Sequence, residues 1–304
     1  MLAQSHQARP GRATSSELLE AALIANTNRS GGWGYYAGKS SRLEPTCWSL
    51  LALAGKPASI APAHTTFLAR TQQASGWLVE DAALPVNIGF NALAAFTWLS
   101  RPNLAPRPTI ERLLAALVSS KGVQAPQIEA SAQNNSLQGW SWVDATFSWV
   151  EPTAWGLLAL KRARRDGLAS AAAEARIAEA ERLLVDRVCR GGGWNYGNAS
   201  MMHQDLRAYT PTTALSLLAL QGRDADAAVS SSLAYLEAHW ADEVSAVAMG
   251  LALICLDVYG RPVSHIAARL TAYVPEAVAF GNTQGLAVAL LALSVSERTH
   301  VFRL

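Results

Sequence analysis

Two copies of one short pattern carry the carboxylates that could do chemistry. Gly32–Leu53 reads GWGYYAGKSSRLEPTCWSLLAL, and Gly139–Leu160 reads GWSWVDATFSWVEPTAWGLLAL. In each, a Trp is followed two residues on by a second aromatic, and eleven positions after that Trp a Glu opens Glu-Pro-Thr. A carboxyl works as a general acid only if it is protonated when it acts. Glu44 or Glu151 would therefore need burial, or a neighbouring carboxylate, to raise its pKa. Glu151 is the stronger candidate, because Asp144, Trp140, Trp142 and Trp149 crowd its loop. The competing role is structural. A carboxylate at a helix start faces the positive end of the helix dipole, worth roughly 0.3–1 kcal/mol, and can bond free backbone N–H groups. Repetition favours that role, since one acid serves one reaction.

Other residues offer supporting chemistry. The loop GNASMMHQDLRAY, Gly197–Tyr209, holds His203, Asp205, Arg207 and Tyr209 just ahead of an apolar helix. An acid, an imidazole and a phenol there suit acid–base work or a polar head group, although a solvated loop would look the same. Aromatic faces stabilise cations by up to ~2 kcal/mol each and also pack against prenyl chains or sugars. The candidate catalytic set is Glu151, Asp144, Glu44 and Asp205. The candidate substrate-binding set is Trp140, Trp142, Trp149, Trp194, Tyr196, His203 and Tyr209. For the repeated Gly-Trp pairs the alternative is that each indole plugs a gap between helix pairs. The run KRARR, Lys161–Arg165, reads as a solvated cluster matching a helix dipole.

Composition narrows the classes. Half of the 304 residues are hydrophobic and 16% are charged, so a large core is expected. Twenty-five basic residues against 23 acidic ones leave no footprint for nucleic acid. The first fourteen residues lack an apolar signal region. The longest apolar run, Val244–Leu256, is shorter than the ~20 residues a bilayer crossing needs. Cys47, Cys189 and Cys255 form neither a disulfide framework nor a metal knuckle. The expectation is a cytoplasmic protein with reduced thiols and neither cofactor nor metal.

The elements follow from repetition. A third copy, Gly191–Leu220, keeps Trp194 and Tyr196 two apart and puts Thr210-Pro211-Thr212 where Glu-Pro-Thr stood. A degraded copy at Ser75–Leu99 keeps Gly76, Trp77 and Pro85, and two further apolar helices, within Glu243–Gly260 and Asn282–Val295, close the chain. Amphipathic stretches precede them at Ser16–Asn26, Ala63–Gln73, Thr109–Ser119, Ala171–Val188, Asp226–Trp240 and Val263–Tyr273. The second helix of each unit is apolar nearly all round and must be buried. No period-two alternation competes. Six inner helices wrapped by six outer ones predict an all-α chain folded as an α/α toroid, an (α/α)6 barrel. The expected organisation is a flexible tail over 1–14 and one toroid domain over 15–304.

The Gly-Trp turn leading into a Pro-Thr-opened, Leu-Leu-Ala-Leu helix resembles the repeat of the terpenoid cyclase and protein prenyltransferase superfamily. QGWSW, Gln138–Trp142, is similar to the Gln-Trp repeats of squalene and hopene cyclases. The resemblance covers about residues 15–296 and implies a single toroid. Aligning EPTA on the Asp-x-Asp-Asp-Thr-Ala stretch of class II cyclases puts Glu151 where their proton donor lies, with Trp149 and Pro152 replacing the flanking aspartates. The zinc ligands of prenyltransferases and lanthipeptide cyclases, and the thioester motif of complement-type toroids, are absent.

The resemblance implies a hydrophobic small molecule, an isoprenoid, bound or transformed in a central cavity by metal-independent acid chemistry. Two alternatives stand beside it. One is a non-catalytic toroid that binds a protein partner or lipid. The other is a carbohydrate-active (α/α)6 enzyme, which needs two carboxylates in one site and Trp platforms.

Overall fold

The computed structural model describes residues 13–54, 60–127, 133–294 and 301–304. Among them, inner and outer helices alternate. The inner helices are α2 (Leu43–Ala52), α5 (Ile88–Ser100), α7 (Val150–Arg165), α9 (Thr210–Ala219), α11 (Ala246–Val258) and α13 (Thr283–Leu293). Each packs on the next, and α13 packs back on α2, closing the ring. The outer layer is α1 (Ser15–Ala25), the broken pair α3 (Pro62–Thr65) and α4 (Phe67–Arg70), α6 (Arg107–Ser119), α8 (Ala171–Asp186), α10 (Ala227–His239) and α12 (Ser264–Phe280). The protein is an all-α α/α toroid, as the alternation of half-wet and fully apolar helices predicts.

Several local expectations shift. The outer stretch expected over Ala63–Gln73 breaks at Thr66 into two single turns, and α12 runs on through Pro275 to Phe280. The long loop ahead of α9 forms a two-residue hairpin, β1 (Ser200–Met201) on β2 (Gln204–Asp205). Residues 1–12 of the expected tail lie outside the described residues. Thr14, placed in that tail, caps α1 through a capping box with Glu17.

One bond recurs at the head of the inner helices. The Trp33 N–H donates to Thr46 Oγ1 at 3.0 Å, Trp140 N–H to Thr153 Oγ1 at 3.0 Å, and Trp194 N–H to Thr213 Oγ1 at 2.9 Å. The fourth unit achieves the same with an amide. Asn91 accepts from Leu78 N–H at 2.8 Å and donates to Leu78 O at 3.0 Å. Two corrections to the sequence register follow. The third threonine of the set is Thr213, not Thr212, so Pro211 stands level with Glu44 and Glu151. In the fourth unit Leu78, not Trp77, fills the buried position.

The tryptophans of this lock are sealed. Trp33, Trp140 and Trp194 have no exposed surface, and their indole N–H groups bond Leu23 O, Leu117 O and Leu184 O on the outer helices at 2.8, 2.9 and 2.7 Å. The opposite end of the ring is closed by residues 301–304. Phe302 is buried against Trp48, Phe96 and Trp155, with ring centroids 6.2, 5.0 and 6.2 Å away. The KRARR run is solvated only in part: Arg164 and Arg165 are exposed as expected, while the run also serves this closure. Lys161, 3% exposed, pairs with Glu181 at 2.7 Å, and Arg162 and Arg165 bond the carbonyls of Val301 and Arg303 at 2.9 and 2.7 Å.

Gly156 shows how tight the lock is. A Cβ there would sit 2.5 Å from a Trp140 ring carbon. Gly156→Ala should lower stability by about 1–3 kcal/mol through overpacking, although alanine favours a helix interior by ~1 kcal/mol. A thermal melt checks this, and a raised Tm would refute the packing account.

Candidate functional site

The second residue of each inner helix is directed at the axis near the ring's loop-bearing mouth. In order these residues are Glu44, Gly89, Glu151, Pro211, Val247 and Gln284. Five of the six line one cavity of about 310 Å³, together with Trp48, Trp142 and Trp155. The sixth, Gly89, leaves room for Trp142, whose ring would lie 2.7 Å from a Cβ at that position. Trp142 packs edge-on to Phe90 at 5.3 Å between centroids and takes the absent side chain's place on the wall. Trp48 and Trp155, edge to face at 5.4 Å, form the floor above Phe302.

The two glutamates belong to the cavity. The capping role expected for them is not what the structure shows: among the described residues neither carboxylate accepts from a backbone N–H at its helix start, and the preceding Arg42 and Trp149 make no side-chain cap bond. Glu44 accepts from Tyr35 Oη–H at 2.6 Å and from Gln284 Nε2–H at 2.8 Å. The free N–H of Leu43 is taken by Glu80 instead. Burial pushes the Glu44 carboxyl up to about 7; the Tyr35 bond opposes this, the Glu80 charge adds to it and the Trp48 indole opposes it. Burial likewise pushes Glu151 up to about 7, with the Glu44 charge adding to it and the Trp155 indole opposing it. Such sites are titrated as a pair. The two bonds to Glu44 favour its anion.

The other candidate residues scatter. Trp142 and Tyr196 line the cavity; Tyr196 lies 5.2 Å from Tyr209, which backs it from outside. Trp140 and Trp194 were expected to touch substrate, but they are fully buried lock residues. Trp149 precedes α7 and packs on Phe147 at 4.7 Å, off the cavity wall. Neither expected acid partner reaches the site. Asp144 is exposed in an outer groove, and Asp205 is exposed and paired with Arg190 at 3.0 Å. His203, at φ +62°, occupies the exposed hairpin turn. Sequence reading missed Tyr35 and Gln284, the partners of Glu44. Counting four residues back from Leu-Leu-Ala-Leu to the locking threonine, then two more, would have found the axis-facing set. Among the described residues no cluster of three His, Cys, Asp or Glu side chains is placed to hold a metal ion, and no helix is long and apolar enough to cross a membrane.

No family model and no curated protein matches this chain. Among solved structures, a novel alpha-amylase from Clostridium perfringens is similar in fold, with a TM-score of 0.64 over 95% of this chain and 100% of that one, at 10% identity.

The raised pKa values have a stability consequence. The folded state holds the protons more tightly than the unfolded chain, where a Glu titrates near 4.5. The cost of ionising Glu151 in the fold is therefore absent below about pH 4.5 and complete above about pH 7. Glu151→Gln should stabilise the protein at pH 8 by roughly 1–3 kcal/mol and have no effect at pH 4.5. Urea titrations at the two pH values provide the check; an equal effect at both would refute the buried-carboxyl account.

Proposed function

We propose that the protein is a carbohydrate-active hydrolase using Glu151 as general acid and Glu44 as the partnering carboxylate. The observation that carries this reading is the meeting of two glutamates, both pushed up to about 7, in one aromatic-walled cavity. Cleaving a glycosidic bond needs a protonated carboxyl at the leaving oxygen and an anion facing the positive charge at the anomeric carbon. Glu151 has the character of the first. Glu44, held by Tyr35 and Gln284, has that of the second. The half-buried Trp142 and the exposed Tyr196 offer flat faces for a sugar ring. The fold likeness to an alpha-amylase agrees with this reading and does not by itself assign it.

A second reading is favoured by the apolar part of the wall, Leu215, Val247 and Leu251 over Trp48 and Trp155. With the repeat's resemblance to terpenoid cyclases, it makes the ligand an isoprenoid protonated by Glu151. The polar Tyr35–Glu44–Gln284 set weighs against it, because a hydrocarbon would desolvate the Glu44 carboxylate further without offering it a hydrogen bond.

Release of reducing sugar from a panel of α- and β-linked oligosaccharides tests the first reading, with prenyl compounds assayed in parallel. Glu151→Gln and Glu44→Gln should each cut turnover by about 100-fold or more. The rate should peak near neutrality, falling at higher pH as Glu151 loses its proton and at lower pH as Glu44 gains one. Turnover of a prenyl compound alone, abolished by Glu151→Gln, would replace the first reading with the second.

A further inference from the structure

A second void, of about 800 Å³, lies outside the ring, between the connection from α4 to α5 and the face of α6. Trp77 stands over it, and the register explains why. The locking position of this unit is filled by Leu78, so Trp77 has no packing duty equivalent to that of Trp33, Trp140 or Trp194. Those three indole N–H groups are bonded to outer-helix carbonyls, whereas Trp77 is half-buried and its N–H has no acceptor among the described residues. Arg112 and Asp144, both exposed, stand on the same walls. Arg112 gives one guanidinium N–H to Gln72 Oε1 at 2.7 Å and keeps other donors free. A flat indole flanked by separated donors and acceptors suits the face of a sugar ring and its hydroxyls.

The groove is not isolated. A smaller void, of about 240 Å³, shares Pro85, Val86 and Val143 with it and Phe90 with the central cavity. Its walls hold Tyr35, which bonds Glu44, and the polar Arg42, Glu80 and Asp81. A lipid tail would gain nothing from that middle stretch, and a polyhydroxylated chain would. The floor of the central cavity is closed by Trp48, Trp155 and Phe302, so a chain entering along this row cannot thread through the ring.

We infer that the three voids form the binding track of a linear oligosaccharide, with one unit between Glu44 and Glu151 and a distal unit stacked on Trp77. The inference rests on the carbohydrate reading and adds chain length to it.

The test is the dependence of KM on chain length, from disaccharide to heptasaccharide, in the linkage series that the wild type hydrolyses. KM should fall as the chain lengthens. Trp77→Ala should flatten that dependence, raising KM for the heptasaccharide by about tenfold. Ala115→Trp, which fills the groove from an exposed position of α6 without removing a core contact, should flatten it too, and Trp77→Phe should largely preserve it. An unchanged dependence in Trp77→Ala and Ala115→Trp would overturn the track while leaving the hydrolase reading intact. If the wild type cleaves no oligosaccharide, the hydrolase reading fails. The track is then decided by calorimetric titration of the Glu151→Gln protein with heptasaccharide. Saturable binding lost in Trp77→Ala upholds it, and absence of binding overturns it.

Discussion

A threonine hydroxyl in the first turn of an inner helix reaches both main-chain groups of the Trp that begins its loop, and the mouth of the ring depends on that reach. Thr46 Oγ1 accepts from Trp33 N–H at 3.0 Å and donates to Trp33 O at 3.3 Å. Thr153 and Thr213 do the same with Trp140 and Trp194. Each bond contributes about 1 kcal/mol net, so the effect on stability is modest. The geometric effect is larger. The Trp is pinned to the outer helix by its indole and to the inner helix by its backbone, so the start and rotation of the inner helix are fixed together. Once that rotation is fixed, the second residue of the helix must face the axis.

Packing is thus confined to positions that repeat, and the axis-facing position is released from it. That position carries Glu44, Gly89, Glu151, Pro211, Val247 and Gln284, a sequence with no repeat in it. Two acids and an amide fall on α2, α7 and α13, and the neighbouring α2 and α13 bring Gln284 onto Glu44 at 2.8 Å. The gap at Gly89 is filled from another unit by Trp142, which adds an aromatic face where a side chain on α5 would have stood. A symmetric scaffold in this way holds one asymmetric site.

The scaffold was legible in the sequence because burial writes itself as apolar pattern: helices apolar all round, such as α11, could only be inner. The site was half legible. Glu44 and Glu151 stood out by spacing from Trp33 and Trp140, but their role did not, because a helix-start glutamate looks alike whether it turns to the backbone or to the axis. Tyr35 showed only as the second aromatic of its unit, nine residues ahead of Glu44, and Gln284, 240 positions from Glu44, showed only through the spacing from Leu290-Leu291-Ala292-Leu293; neither spacing reveals that the two meet on one carboxylate. The third unit misled for a local reason. Its two consecutive threonines after Pro211 offer two registers, and only the distance to Leu-Leu-Ala-Leu separates Thr212 from Thr213. Asp144 and Asp205 were drawn in by proximity in sequence to the helix starts, whereas loops at a ring's mouth also fold outward, as the hairpin at 200–205 does.

The energetics of the glutamate pair run against fold stability. At a helix start the dipole favours a carboxylate by roughly 0.3–1 kcal/mol. Yet Glu44 and Glu151 are both pushed up to about 7 from an ordinary 4.5, so desolvation outweighs the dipole at both sites. Glu44 has two side-chain donors to soften that cost; for Glu151 the Trp155 indole softens it and the Glu44 charge adds to it. The arrangement weakens the fold at neutral pH. A Gln at either position would keep the volume and remove the cost, and one stands at the equivalent place on α13. Two acids where an amide would fit better agree with the proton-transferring role proposed for the pair.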